Sequence, residues 1–273
     1  MSSRTDQRPA GAALLASIVA AAPVIVVAIL AVSLWLALSL TVYKGKGYLL
    51  PNPYEVAVAF VENGSAVVSA MMITLREASL GFLSAIVVGI GVAAILSQSR
   101  LLERAIYPYA VLLQTVPVVA IAPLIVLWFG YNDLSVIIVS LIISLFPIIN
   151  NTLLGLRSTS RPLVELFAMH RTSRPVAFWK LRFPGALPSI MAGLRISAGL
   201  SVIGAIIGEF LIGSGNAQGG LGVQIIFAQG RMYTALLFAE VISATLLGFF
   251  FFMLVSGVSN RLLRHWHESA AAD

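Results

Sequence analysis

The stretch AMMITLREASLGFLSAIVVGIGVAAILS, residues 70–97, decides the architecture. From Ala78 to Ser97 it carries no charged side chain. About 20 apolar residues in a helix are what a hydrocarbon layer of ~30 Å requires. Gly81, Ala85, Gly89 and Ala93 recur every fourth residue and make one narrow face of small side chains. Such a face lets membrane helices approach closely. Arg76 stands at the charged end of the run, where its long stem can snorkel to the interface.

Five further runs have the same character, at about 14–42, 105–129, 134–156, 188–212 and 235–259. The pattern predicts an all-α integral membrane protein with six transmembrane helices. Composition agrees. Of 273 residues 59% are apolar and 10% charged, with mean hydropathy +0.97. A water-soluble chain of this kind would lack polar surface to cover its core. The first run is far longer than a signal-peptide core and is read as a retained anchor. Between the first two spans, YKGKGYLLPNPYEVAVAFVENGS (43–65) has the Gly, Pro and Asn of an exposed loop leading into a short helix. The expected organisation is a tail at 1–10, a membrane domain at 11–260 and a second tail at 261–273.

Charge orients the spans. With both termini inside, Arg4, Arg8, Arg100, Arg104, Arg157, Arg161, Arg171, Arg174, Lys180, Arg182, Arg261 and Arg264 fall on the cytoplasmic side, twelve of seventeen cations. Lys44, Lys46 and Arg231 fall outside. This is the asymmetry of the positive-inside rule, and it accounts for the net charge of +6 without nucleic acid. The longest cytoplasmic connection is then 157–187. It contains ELFAMHRTSRPVAFWKLRFPGALP (165–188), with four cations between Arg171 and Arg182. Glu165 to His170 can form a short helix. Ser173 is a candidate N-cap with Pro175 in the first turn. Val176, Trp179 and Phe183 then share one face, Pro184 is expected to halt the helix, and Pro188 to open the fifth span. A topological anchor needs cations but not Phe167, Phe178 and Trp179. Aromatic residues on short amphipathic helices suggest a lipid surface or a docking partner.

Glu165 and Ala168, followed by FPGALPSIMAGLR (183–195), resemble the cytoplasmic EAA loop of binding-protein-dependent ABC importer permeases, in particular the nitrate/sulfonate/taurine-type branch. TLREASLGF (74–82), TVPVVAIAPLIVLWFG (115–130) and GEFLIGSGNAQGGLG (208–222) are further matches, in the family's order. The resemblance implies a type I importer permease fold working as a dimer, with ABC ATP-binding subunits beneath and a soluble substrate-binding protein outside. ATP and Mg would belong to the partner subunit, and this chain would bind no cofactor. The loop would insert a coupling helix into the ATPase through Glu165, Phe167, Ala168, Arg171, Ser173 and Pro184. Phe167 stands where the family usually has alanine, and Arg171 where it usually has glycine. Glycine permits a left-handed turn that arginine adopts at a cost, so either the turn differs or Arg171 contacts the ATPase.

Gly193, Ser197, Ser201, Ala205 and Glu209 recur every fourth residue on the fifth span. Small residues mostly mean packing. Glu209 is costly against lipid and should face a pore, a partner or water. In this family the fifth span helps line the path, which makes Ser197, Ser201 and Glu209 pathway candidates. Gln114 and Thr115 join them, beside Pro117 and Pro123, which can kink the third span. LIGSGNAQGGLG (211–222) has neither GxGxxG nor a P-loop lysine and reads as a flexible outer loop. No cysteine is present, and neither a catalytic nor a metal-ligand constellation appears; His170, His265 and His267 fall on cytoplasmic segments. The expected function is therefore a non-enzymatic permease subunit in a bacterial inner membrane, moving a small, anionic solute. An autonomous secondary transporter or channel is the alternative, and would carry more intramembrane ionisable groups.

Overall fold

The computed structural model describes residues 10–213 and 219–267. The tail at 1–9, the centre of the loop expected outside, 214–218, and the final residues 268–273 lie outside the described residues. What is described is helical throughout: α1 (Ala10–Leu40), α2 (Pro53–Glu62), α3 (Gly64–Ser97), α4 (Arg100–Thr115), α5 (Val118–Phe129), α6 (Asp133–Arg157), α7 (Arg161–Met169), α8 (Arg174–Ala177), a π turn at Phe178–Arg182, α9 (Phe183–Ile212), α10 (Leu221–Gly230) and α11 (Thr234–His267).

Five of these segments are long and apolar enough to cross a bilayer: Ala22–Leu40, Gly64–Ser97, Asp133–Arg157, Arg174–Ile212 and Thr234–Leu263. The sixth expected span, 105–129, is instead two helices of 16 and 12 residues. At 1.5 Å per residue these reach about 24 and 18 Å. The break falls at Val116 and Pro117, both extended with ψ of 123° and 112°. Pro117 pushes the residue before it out of the α region and has no N–H to continue the ladder. Thr115 Oγ1 donates to the Leu112 carbonyl at 2.8 Å, beside the Val116 N–H that the same oxygen accepts at 3.2 Å. Pro108 and Pro123 are carried inside α4 and α5.

A second difference concerns Pro184, which does not halt its helix. From Arg174 to Ile212 the chain is one continuous rod of 39 residues. The ladder widens to a π turn just ahead of the proline, with Phe183 N–H donating to the Phe178 carbonyl. A π turn shifts the bonding pattern by one residue, and Pro184 falls where a donor is no longer needed.

The core is the seam between α6 and α9, flanked by α3. Ser197 Oγ donates to the Ser144 carbonyl at 2.7 Å, and Ser140 Oγ to the Ser201 carbonyl at 2.8 Å. Glycines bring the backbones together: a methyl group on Gly204 would lie 2.7 Å from Ser140 Cα, and one on Gly193 would lie 2.9 Å from the Pro147 carbonyl. The small face of α3 meets the same seam, Gly81 against Ser140 and Gly89 against Ile148. By contrast the Ala22–Leu40 part of α1 is apolar on all sides and largely exposed. It is tied by Trp35, whose Nε1 donates to the Pro51 carbonyl at 3.1 Å and whose ring stacks on Phe238. α2 begins with a capping box of Asn52 and Glu55, as the short helix expected after the first loop.

Gly204→Ala should lower thermal stability by about 1–3 kcal/mol through overpacking. Gly199→Ala, where an added Cβ meets nothing within 4 Å, should leave stability unchanged or raise it by about 0.5–1 kcal/mol. Thermal unfolding of the purified variants in one detergent checks both.

Candidate functional site

Two polar constellations lie at opposite ends of α9. The first is the segment 161–183. α7 ends in a complete left-handed cap: Arg171 N–H donates to the Ala168 carbonyl at 2.9 Å and Thr172 N–H to the Phe167 carbonyl at 3.2 Å. Arg171 sits at φ 50°, the left-handed conformation. The turn that glycine would favour is thus kept, with arginine bearing its cost. Thr172 Oγ1 reinforces it, donating to Phe167 O at 2.6 Å. This is the physical reason position 167 tolerates phenylalanine: what the turn uses there is the backbone carbonyl, while the side chain lines a cavity of about 310 Å³ with Gln98, Ala168 and Phe178.

Ser173 occupies the N-cap position of α8, but its side chain makes no capping bond. Phe178 is buried and packs edge-on against Trp179, with ring centroids 5.3 Å apart, while Trp179 and Phe183 lie 5.2 Å apart. Glu165 is exposed. Leu163, Leu166, Met169, Val176 and Trp179 are also exposed, Met169 at 75% and Trp179 at 64%. Apolar side chains interleaved with Arg161, Arg171, Arg174 and Lys180 form a surface suited to a protein partner.

The second constellation surrounds Glu209, near the far end of α9. Glu209 is 2% exposed and Glu77, from α3, is 3% exposed. Their carboxyl groups lie within hydrogen-bonding reach of each other. Glu209 Oε2 accepts the Gly222 N–H at 2.6 Å, and Thr74 Oγ1 accepts the Leu221 N–H at 2.9 Å. Two side chains from two spans thereby satisfy the first donors of α10, which a helix start leaves open. LIGSGNAQGGLG does not run on as a loop to its end; Leu221 and Gly222 are already helical. Gly220 is required here, because a Cβ would collide with the Glu209 carboxyl and Thr74 Oγ1. A cavity of about 350 Å³ opens from this pair past Arg76, Asn132 and Asp133. Arg76 forms an ion pair with Asp133, rather than simply snorkelling.

The expected pathway residues do not converge. Ser197 and Ser201 are buried within the chain and present no surface to a path in this structure: the Ser197 hydroxyl bonds across the α6 seam, the Ser201 hydroxyl bonds the Ala198 carbonyl of its own helix, and the Ser201 carbonyl accepts from Ser140. Gln114 and Thr115 are exposed beside the α4–α5 break. Glu209 lines its cavity beside Glu77, a residue that sequence reading passed over although Glu inside an apolar run is itself the signal. Glu240, 2% exposed on α11, was missed in the same way. Arg195, the other intramembrane cation, donates to Ser259 Oγ at 2.7 Å and to Asn260 Oδ1 at 2.7 Å, joining α9 to α11. Among the described residues, no cluster of three or more metal-ligand side chains is present.

Residues 85–265 match the family model described as "binding-protein-dependent transport system inner membrane component". The chain belongs to this family. It is a multi-pass permease subunit of an ABC importer, with the type I fold. The formylaminopyrimidine transport permease protein ThiX of Halalkalibacterium halodurans is 37% identical over 224 residues, covering 80% of this chain and 86% of the relative. The nitrate import permease protein NrtB of a Synechocystis species is 29% identical over 212 residues, 74% of each chain. A solved amino acid ABC transporter chain superposes with TM-score 0.60 at 17% identity, over 76% of this permease and 97% of that chain. It shares the fold.

Thr74→Val should leave the buried Leu221 N–H without its acceptor and destabilise the permease by about 1–3 kcal/mol. Arg171→Gly should keep or raise stability by up to ~1 kcal/mol by relieving the left-handed residue. Both are read by thermal unfolding in detergent.

Proposed function

We propose that this permease subunit pairs with a second copy of itself to form the path for a small solute, with an anion as the leading class. A soluble binding protein delivers the solute from outside. ABC ATP-binding subunits dock on the segment 161–182, and ATP and Mg reside in those subunits, so this chain performs no chemistry of its own. Both termini lie in the cytoplasm, as the distribution of cations favours.

The observation that carries this reading is the exposed, mixed apolar and basic face of 161–182, with Glu165, Leu166, Met169, Arg171 and Trp179 all solvent-facing. Ser173 and Pro184 serve it by shaping the start and root of the second short helix, Phe167 and Ala168 by lining the cavity behind it. ATP-driven approach and separation of the partner subunits would move these segments together and apart. Gln114 and Thr115 are the assigned path residues, being exposed on a face that a second copy can cover. Glu209 is assigned the outer closure, holding α10 against α9, and Ser197 and Ser201 keep α9 in register with α6. A small anion is supported by the relative named for nitrate import.

Met169→Asp combined with Trp179→Ala should abolish co-purification of the cognate ATPase and transport together, while the thermal unfolding profile of the isolated permease stays near wild type. Deleting 163–182 should likewise abolish ATPase co-purification and transport, at a cost in thermal stability because buried Phe178 is lost. A permease that keeps its ATPase and its transport after either change would overturn the docking reading.

A further inference from the structure

At the end of the bundle opposite α7, a cavity of about 580 Å³ opens between the 47–51 loop, α2, α10 and the start of α11. It shares no residue with the Glu77–Glu209 cavity. Glu240 stands in its wall, 2% exposed, and its Oε2 is buried without a hydrogen-bond partner. A buried acceptor left unmade is costly, so this oxygen calls for a donor. Glu55, the other carboxylate of the cavity, already accepts the Asn52 N–H at 3.0 Å in the cap of α2. At the rim stands Arg231, exposed at the C-cap of α10. A left-handed turn at Met232, φ 60°, lets the chain fold back there. Tyr48, Phe227 and Tyr233 complete the wall.

Two features say what fills such a site. The cavity joins a carboxyl with one unpartnered oxygen and a guanidinium across aromatic walls, so its complement carries an ammonium and an oxyanion together. Its depth is that of the membrane interface. Tyr48, Tyr54 and Tyr233 are all more than half exposed around it, and Trp35 hydrogen-bonds the adjoining Pro51 carbonyl; Tyr and Trp collect at headgroup level. A primary ammonium brings three N–H donors and can also lie against aromatic faces.

We propose that this cavity binds the ethanolamine phosphate headgroup of a membrane phospholipid, its ammonium donating to Glu240 and its phosphate held by Arg231. The acyl chains then run down the exposed apolar flank of the bundle. A choline headgroup offers no N–H to Glu240, and a glycerol headgroup offers no cation.

The test is native mass spectrometry of the full chain in a mild detergent, given phosphatidylethanolamine, phosphatidylcholine and phosphatidylglycerol in equal amounts. The ethanolamine lipid should be retained about tenfold over the others, the scale of one hydrogen bond to a charged group. Glu240→Gln should remove that preference, and Arg231→Gln should weaken retention of all three lipids alike. Glu62→Gln, on an exposed residue outside the cavity, should change neither. On the unaltered protein, stepwise N-methylation of the headgroup should lower retention as N–H donors are lost, which tests the idea even where a variant fails to fold. Equal retention of the three lipids would overturn the proposal. Displacement of bound lipid by micromolar free phosphoethanolamine would overturn it too, by making the cavity a site for a soluble zwitterion.

Discussion

Everything in this permease hangs on the close approach of α9 to α6. Lipid tails are as apolar as leucine, so membrane helices gain little by merely hiding apolar surface from them. They gain by packing and by interhelical hydrogen bonds, and both need small side chains at the contact. Gly193 and Gly204 allow the approach, and Ser140 and Ser197 use it to bond carbonyls on the opposite helix. The same residues cannot serve two masters. A serine whose hydroxyl is committed to a carbonyl across a seam has no donor left for a passing solute.

With its middle fixed in this way, α9 becomes a strut. Its continuous run from Arg174 to Ile212 spans about 58 Å at 1.5 Å per residue. One end carries the aromatic and basic segment; the other carries Glu209. Nothing in the local sequence would be expected to keep such a rod intact through Pro184. It survives because the π turn moves the missing hydrogen bond to a place where no bond is due. Phe178, buried inside that turn, supplies the packing that holds the wider ladder together.

The spans were legible in the sequence because twenty apolar residues have few other destinations, and the segment 161–182 because its cations and aromatics contradict each other in a simple loop. Residues 105–129 misled for the converse reason. Hydropathy reads length and not continuity, and the backbone consequence of Val116 preceding Pro117 is local and invisible to it. The persistence of the rod through Pro184 could not be read either, since it depends on how Phe178, Trp179 and Phe183 pack. At the far end of α9, Glu209 stood out as a lone carboxylate closing a stripe of small residues. Its true neighbours, Glu77 and the N–H of Gly222, come from other elements. A pair formed across α3 and α9 has no signature in either segment alone. Arg171 is the opposite case, where local reasoning identified the strained position and the structure kept the strain.

That retained strain limits where the molecule can give. α9 is held along its length by α6, toward α11 by Arg195 bonded to Ser259 and Asn260, and at its far end by Glu209 bonded to α10. Tightly packed interiors shift between discrete arrangements and do not deform smoothly. A displacement applied at α7 therefore has two outlets: rotation of the clamped helices as one body, or bending where the ladder is already irregular. Such irregular turns often coincide with functional hinges, and here the π turn lies between the exposed face of α7 and the first residues of the clamped rod. On the other side, the left-handed cap at Arg171 closes the end of α7, with the Arg171 and Thr172 N–H groups bonded back to the Ala168 and Phe167 carbonyls. A partner docked as proposed above on Met169 and Trp179 would press beside and upon the irregular ladder at Phe178–Arg182.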